Sequence, residues 1–255
     1  MRDPSPAQVS AVVITLNAAS QLEACLTSLK FCAEIVVVDS GSQDETREIA
    51  QRCGARVIEQ AWLGFGPQKR FGVAQARHDW ILALDADERL TPELQAQIET
   101  ALLAPEHGAY RLPRRNRFLG RWLRHGEGYP DFVLRLFDRR RANFSEDLVH
   151  EKVLAQCSTG TLRGDLLHES AETLLSYLEK QNRYTTLQAE GLRRAGRRST
   201  PVMVVMSPLV RFCKFYFLKL GFLDGVPGFV HVAIGAFSSM MKYAKLAELT
   251  LRSEA

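Results

Sequence analysis

The chain has 255 residues, 46% of them hydrophobic and 24% charged, which is the composition of a globular protein with room for one large domain or two small ones. Its net charge of +4 is modest but unevenly spread: ten arginines, no lysine and three acids (Glu127, Asp131, Asp138) lie between Arg111 and Arg141. Five scattered cysteines exclude a disulfide framework or a zinc-type spacing and predict a reducing, cytosolic compartment.

The N-terminal stretch MRDPSPAQVS lacks the apolar core of a signal peptide and leads directly into a strand. VSAVVITL, Val9 to Leu16, is a β-branched apolar run and predicts a buried strand. Leu22, Cys25, Leu26 and Leu29 then mark one face of a helix. EIVVVDS predicts a second strand ending at Asp39. Ser42 and Glu45 have capping-box spacing and predict a helix that Gly54 closes. ARVIEQ follows as a short third strand, Gln68 to Ala76 as a basic helix, and WILALDA as a fourth strand. Thr91 caps the next helix, with Pro92 at its first position. This alternation predicts an α/β fold, a mostly parallel sheet with helices on both faces. Ligands in such sheets bind beyond the carboxyl ends of the strands, where Thr15, Asn17, Asp39, Asp85 and Asp87 would gather.

From about Arg111 the segments look antiparallel. FVLRLFD alternates weakly, and HEKVLAQ with GTLRGDLLH predicts a hairpin across Cys157–Gly160. A long helical stretch runs from Ala171 to about Arg198, with Gly191 and Gly196 as candidate interruptions and a basic end that suits a helix C-terminus. From Pro201 the chain is strongly apolar, yet Pro208, Arg211, Lys214 and Lys219 interrupt it, which makes a poor spanning segment. Interleaved aromatics and cations fit a helix lying in a membrane interface, or else a helical hairpin packed on protein. GFLDGVPGF predicts a turn into a second apolar helix. The expected division is residues 1–168 as the ligand-binding α/β part, and 169–255 as a helical, membrane-interfacial region.

The chemistry concentrates in WILALDADERL. Asp85 and Asp87, at i and i+2 on an extended backbone, would point the same way and repel, so a positive charge is expected beside them. Hard cations such as Mg²⁺ and Mn²⁺ prefer carboxylate oxygen, and Mg²⁺ is commonly held by one or two carboxylates plus substrate phosphates. The pair therefore predicts a divalent cation and a phosphate-bearing substrate. The continuation of an EF-hand is missing, and so is a G-x-x-x-x-G-K-[ST] loop.

SAVVITLNAASQLEACLTSL, EIVVVDSGSQDET and WILALDADE together resemble the nucleotide-sugar domain of inverting family 2 glycosyltransferases, the GT-A fold. The resemblance implies that Thr15, Asn17 and Asp39 hold the nucleotide's base and ribose, that Gln68 and Lys69 lie over the nucleotide, and that Asp85 and Asp87 form the D-x-D, with Asp87 the more direct metal ligand. GYPDFVLRLFDRR, VHEKV and the GFLDGVPGF…KYAKLAE region are similar to the subgroup that extends the lipopolysaccharide core, typically by adding glucose. That implies a UDP-sugar donor, a lipid-linked glycan acceptor, and a cytoplasmic enzyme peripheral on the inner face of the bacterial inner membrane. An inverting transfer needs a carboxylate base. The resemblance favours Glu151, then Asp131; Glu146-Asp147 and a purely structural role for each acid stay open. His168 is either structural or, as in some relatives, the completion of the metal shell. Arg114, Arg115 and Arg117 are unranked candidates for diphosphate or acceptor contacts. A pyrophosphorylase of the same fold would want a Gly-rich loop after the first strand, which ITLNAASQ lacks. A non-enzymatic basic membrane or nucleic-acid binder would leave the convergent acids without a use, and nucleic acid is not an expected partner.

Overall fold

A computed structural model describes residues 8–147, 151–170 and 173–254. The elements in order are β1 (Val9–Thr15), α1 (Ala19–Thr27), β2 (Glu34–Asp39), α2 (Thr46–Arg52), β3 (Arg56–Glu59), α3 (Phe65–Gln75), β4 (Trp80–Asp85), β5 (Glu88–Leu90), α4 (Pro92–Leu103), β6 (Ala109–Phe118), β7 (Arg121–Trp122), β8 (Asp131–Asp138), β9 (Ala142–Phe144), β10 (Val153–Ala155), β11 (Thr159–Thr161), β12 (Leu166–His168), α5 (Leu174–Arg194), α6 (Pro201–Phe212) and α7 (Gly225–Glu254). A π-helical turn, Cys213–Leu218, and a 3-10 turn, Gly221–Asp224, connect the last two helices.

The main sheet runs β3-β2-β1-β4-β8-β6-β12-β5. β3, β2, β1 and β4 are parallel, and β8 turns antiparallel on β4. The expected mostly parallel α/β architecture is therefore what forms. β1, β2 and β4 lack the alternation of a half-wet sheet because helices cover both faces, and Val12, Val37, Leu82 and Ile81 have essentially no exposure. Register places Thr15 opposite Asp39 and Ile14 opposite Asp85, so the polar ends of three strands share one edge.

Several local expectations change. Thr91 caps α4 as expected, its Oγ1 accepting from Leu94 N at 3.3 Å. Ser42 does not cap α2: the helix starts at Thr46, and the Ser42 hydroxyl donates to Asp39 Oδ2 at 2.5 Å instead. A nearby buried carboxylate outcompetes the helix terminus for that hydroxyl. Gly54 does end the α2 segment, at a φ of +82° that suits glycine. The hairpin across Cys157–Gly160 does not form, because β10 pairs antiparallel with β9 while β11 joins β6 in parallel. Gly191 leaves α5 continuous, and Gly196 lies just beyond its end.

By its internal contacts the chain divides into two units, Met1–Arg114 with Phe132–Glu169, and Arg115–Asp131 with Ser170–Ala255. The second unit is helical. α7 packs on α5 and on α6, and Lys245 Nζ donates to the Asn182 carbonyl and to the Thr185 and Thr186 hydroxyls at 2.7–2.8 Å. Asp224, 1% exposed, accepts from the backbone N–H of Arg124 and of His125 and so ties the 115–131 segment to the turn before α7. α6 has no buried residue. Against the expectation of a poor spanning segment, Pro201–Leu218 and Gly221–Leu251 are each long and apolar enough to cross a membrane by length and composition, because the few cations are diluted by the apolar residues around them.

Candidate active site

At the carboxyl edge of the first unit, Asp39 is fully buried. Thr15 Oγ1 and Ser42 Oγ donate to its Oδ2, at 2.9 and 2.5 Å, while the N–H groups of Gly41 and Ser42 donate to its Oδ1 at 3.1 and 2.8 Å. Burial pushes the carboxyl up, but these donors outweigh it and hold Asp39 below the usual carboxylate range. Asn17, exposed and at φ 50°, joins this floor from above the edge. Its N–H donates to Ser42 Oγ, and its side-chain oxygen accepts from Gln43 N. A left-handed turn is a position asparagine tolerates.

Gln68 sits on α3 with no exposure. Its amide donates to Ser40 Oγ and the Gln60 carbonyl, and its oxygen accepts from Leu63 N, so it braces the loop before α3 against the end of β2. Lys69, one residue on and 2% exposed, reaches the next strand end. Its Nζ lies 2.7 Å from Asp85 Oδ1 and 2.6 Å from Glu151 Oε1. Glu151 arrives there because α3 and the segment before it touch directly: Gly66 N donates to the Asp147 carbonyl, and a side chain at Gly66 would collide with the carbonyls of Ser145 and Asp147. Ser145 in turn exchanges backbone and side-chain bonds with Lys152.

The other oxygen of Asp85 meets Arg135 Nη2 at 2.6 Å, and the same nitrogen lies 2.8 Å from Glu88 Oε1. Glu88 has no exposure and also accepts from Arg114 at 3.2 Å and from Asp85 N at 3.1 Å. Acids and bases thus alternate: Arg114, Glu88, Arg135, Asp85, Lys69, Glu151. The positive charge expected beside Asp85 is supplied by the chain itself, through Lys69 and Arg135. Burial pushes the Asp85 carboxyl up, yet those two cations overcome it and hold the group far below its ordinary value. Burial opposes the charge on Arg135, and Asp85 and Glu88 more than restore it. Burial and then the acids Glu88, Asp87 and Asp85 push the Cys25 thiol well up, so it stays a protonated core residue.

Asp85 and Asp87 do not share an extended strand. β4 ends at Asp85, and Ala86 and Asp87 form the turn into β5. Asp87 therefore finds a different partner, His168 Nε2, 3.1 Å from its Oδ2 and delivered by the pairing of β12 with β5. Both side chains are partly open, at 25% and 21% exposure. No cluster of three metal-type side chains occurs among the described residues. A carboxylate and an imidazole in contact at an open edge nevertheless fit a divalent cation whose other ligands come from a substrate diphosphate and water.

Asp131 begins β8 and belongs to the second unit. Glu146 is well exposed, 3.8 Å from Arg70, and His150 of the VHEKV stretch lies outside the described residues. Arg115 lies over the Tyr129 ring and Arg117 over the Trp122 ring, both within the second unit. Sequence reasoning missed Arg135. Its signal was an arginine in the middle of an apolar strand, FVLRLFD, where a charge persists only when paired.

The glycosyl transferase family 2 model matches residues 10–161, more than half of the chain. An uncharacterized glycosyltransferase of Rickettsia bellii is 30% identical over 261 residues, covering 96% of this chain and 88% of that protein. The lipopolysaccharide core biosynthesis glycosyltransferase LpsC of Rhizobium meliloti is 31% identical over 252 residues, covering 93% and 91%. The fold is similar to that of S. aureus TarS 1–349, solved in complex with UDP-GlcNAc, at a TM-score of 0.51 and 13% identity over 96% of this chain and 92% of that one. The strand-end acids, the GT-A-like sheet that carries them and the family match converge: the chain belongs to glycosyl transferase family 2 and is a glycosyltransferase.

Proposed function

We propose that this enzyme transfers a sugar, glucose in the first instance, from a UDP donor to the lipopolysaccharide inner core or a similar lipid-linked glycan, with inversion at the anomeric carbon. The observation that carries the reading is the meeting of Asp85, Lys69 and Glu151 beside the Asp87–His168 pair at the carboxyl edge of the parallel strands. The relationship to LpsC supports the acceptor class.

Thr15, Asn17 and Asp39 form the floor for base and ribose, with Gln68 shaping the loop above them. Donor binding there exchanges some of the bonds that Asp39 makes within the protein. Lys69 offers a point charge to the diphosphate and, through its bond to Glu151, orients that carboxylate. Glu151 acts as the general base, with Asp131 the second choice. It takes the proton of the acceptor hydroxyl as that oxygen bonds to the anomeric carbon, and the bond to the diphosphate breaks with its electron pair leaving on UDP. Asp87 and His168, with Asp85 behind them, would hold Mg²⁺ or Mn²⁺, which when bound neutralises charge on the departing diphosphate. The apolar, cation-studded helices of the second unit support a peripheral position on the cytoplasmic face of the inner membrane, where such an acceptor is presented. Residues 169–255 serve that attachment and residues 1–168 the chemistry.

Purified protein screened against a panel of nucleotide sugars with Mn²⁺ or Mg²⁺ is expected to release UDP from one of them. Asp87→Ala, at a partly open turn, is expected to fold normally and to lose roughly 10³-fold in turnover. Wild-type turnover by that variant removes the metal role, and no release from any nucleotide sugar removes the donor assignment.

A further inference from the structure

The second unit holds a crevice of about 560 Å³ between α6 and α7 that the transfer chemistry does not use. Its walls are mainly apolar, Met206 and Val210 from α6 facing Tyr243 from α7, and one end carries Arg211 and Lys214. Its volume lies within the ~300–1,000 Å³ usual for small-molecule sites. Two features point to an occupant. Ser207 lines the crevice with a buried hydroxyl that has no hydrogen-bond partner among the described residues. Lys214 is exposed, with its Nζ 5.2 Å from the centre of the Phe215 ring and no acid within ion-pair distance among the described residues, whereas Arg211 is already paired with Glu127.

We infer that this crevice binds one anionic membrane lipid, its acyl chain along Met206 and Val210 and its phosphate at Lys214, beside the Glu127-paired Arg211. The charge balance favours that occupant: α6 and the turns after it carry Arg211, Lys214 and Lys219, and of the acids near them Glu127 is spent on Arg211 and Asp224 is buried elsewhere, which leaves Lys214 as positive charge at the crevice. A helix with apolar side chains outward and cations at one end matches the boundary between acyl chains and headgroups. The inference rests on the proposed membrane attachment and narrows it from a general interface to a single site with headgroup selectivity.

Flotation of the full chain with vesicles tests it, using phosphatidylcholine alone and phosphatidylcholine mixed with phosphatidylglycerol, each with and without millimolar inorganic phosphate. Native mass spectrometry then counts the lipids retained. Wild type is expected to favour the phosphatidylglycerol vesicles, to keep one phosphatidylglycerol, and to be little affected by free phosphate. Lys214→Glu is expected to weaken the anionic preference on the order of thirtyfold, leaving UDP release from nucleotide sugar unchanged. Lys30→Glu, the same charge change on the exposed surface of the first unit, controls for net charge. Val210→Asp, at a site 60% exposed and so safe for folding, is expected to lose the retained lipid. Flotation without headgroup preference, an equal effect of Lys30→Glu, or a retained second copy of the chain in place of lipid overturns the site while the attachment stands. Failure to float with either vesicle removes both.

Discussion

The site cations of the first unit and the crevice lysine of the second sit in opposite settings. In the first, cations are drawn inside and neutralised one by one: Arg135 and Lys69, at 8% and 3% side-chain exposure, each sit between two carboxylates. In the second, Lys214 stays at the surface among apolar side chains that are themselves uncovered, including Val202, Val205 and Leu218. A buried charge costs several kcal/mol unless its partners are in place, so the first arrangement demands fixed geometry. An exposed charge costs little and demands none, which leaves it available to something outside the chain. On the proposed reading, the first arrangement suits a reaction that needs atoms held in position, and the second a surface completed by what it meets.

The largest test of that contrast is Arg135→Met. It keeps the side-chain volume roughly and removes the charge that Asp85 and Glu88 share, leaving Lys69 and Arg114 as their remaining cations. A loss of about 3–5 kcal/mol is expected, read as a fall in the urea midpoint, while Lys214→Met in the second unit should stay within about 0.5 kcal/mol. Arg135→Lys should fall between, because the ammonium keeps the charge but its shorter reach and different shape must shift to meet both carboxylates that Arg135 Nη2 contacts. Equal stability of the two methionine variants would erase the distinction between the units. Next comes Glu151→Gln, which keeps a hydrogen-bonding group near Lys69 but cannot accept the acceptor's proton. Its kcat is expected to drop by roughly 10²–10⁴ with donor KM little changed. Full turnover would transfer the base to Asp131.

The parallel half was legible because its physics is local. A β-branched run reads as a covered strand, and a polar residue at its end reads as the ligand edge, so Thr15, Asp39 and Asp85 could be placed before any coordinates. The errors arose where two local rules competed or where the partner lay far along the chain. Ser42 had the spacing of a cap, but the Asp39 carboxylate was the stronger acceptor. The segments around Cys157 had hairpin spacing, but their strands took β9 and β6 as partners. The carboxylate pair has the i, i+2 spacing of one extended unit, yet the turn at Ala86–Asp87 sends Asp85 to Lys69 and Arg135 and Asp87 to His168. Arg135 is 50 residues from Asp85, and no spacing rule spans that distance. What the apolar strand did announce was the need for a partner, without its identity.

The smallest effect tests whether the first unit's way of holding charge extends beyond the active edge. Glu34, at the opposite end of β2, is 9% exposed and accepts from Ser10 Oγ, Arg56 and the Arg77 backbone N–H, each at 2.8 Å. Burial pushes its carboxyl up, but the Arg77 N–H, Arg56 and Ser10 outweigh that, so its pKa lies below the ordinary 4.5. Folding therefore favours the ionised form. Its contribution is complete above the unfolded-state pKa and is lost as pH falls through the folded one. Wild type should accordingly melt above Glu34→Gln at neutral pH, with the gap closing as the solution is acidified below 4.5. A gap that stays constant down to about pH 3 would mean that Glu34 acts by shape and hydrogen bonding alone. Paired buried charge would then be a device of the active edge, kept for chemistry, and not the way this sheet is held together.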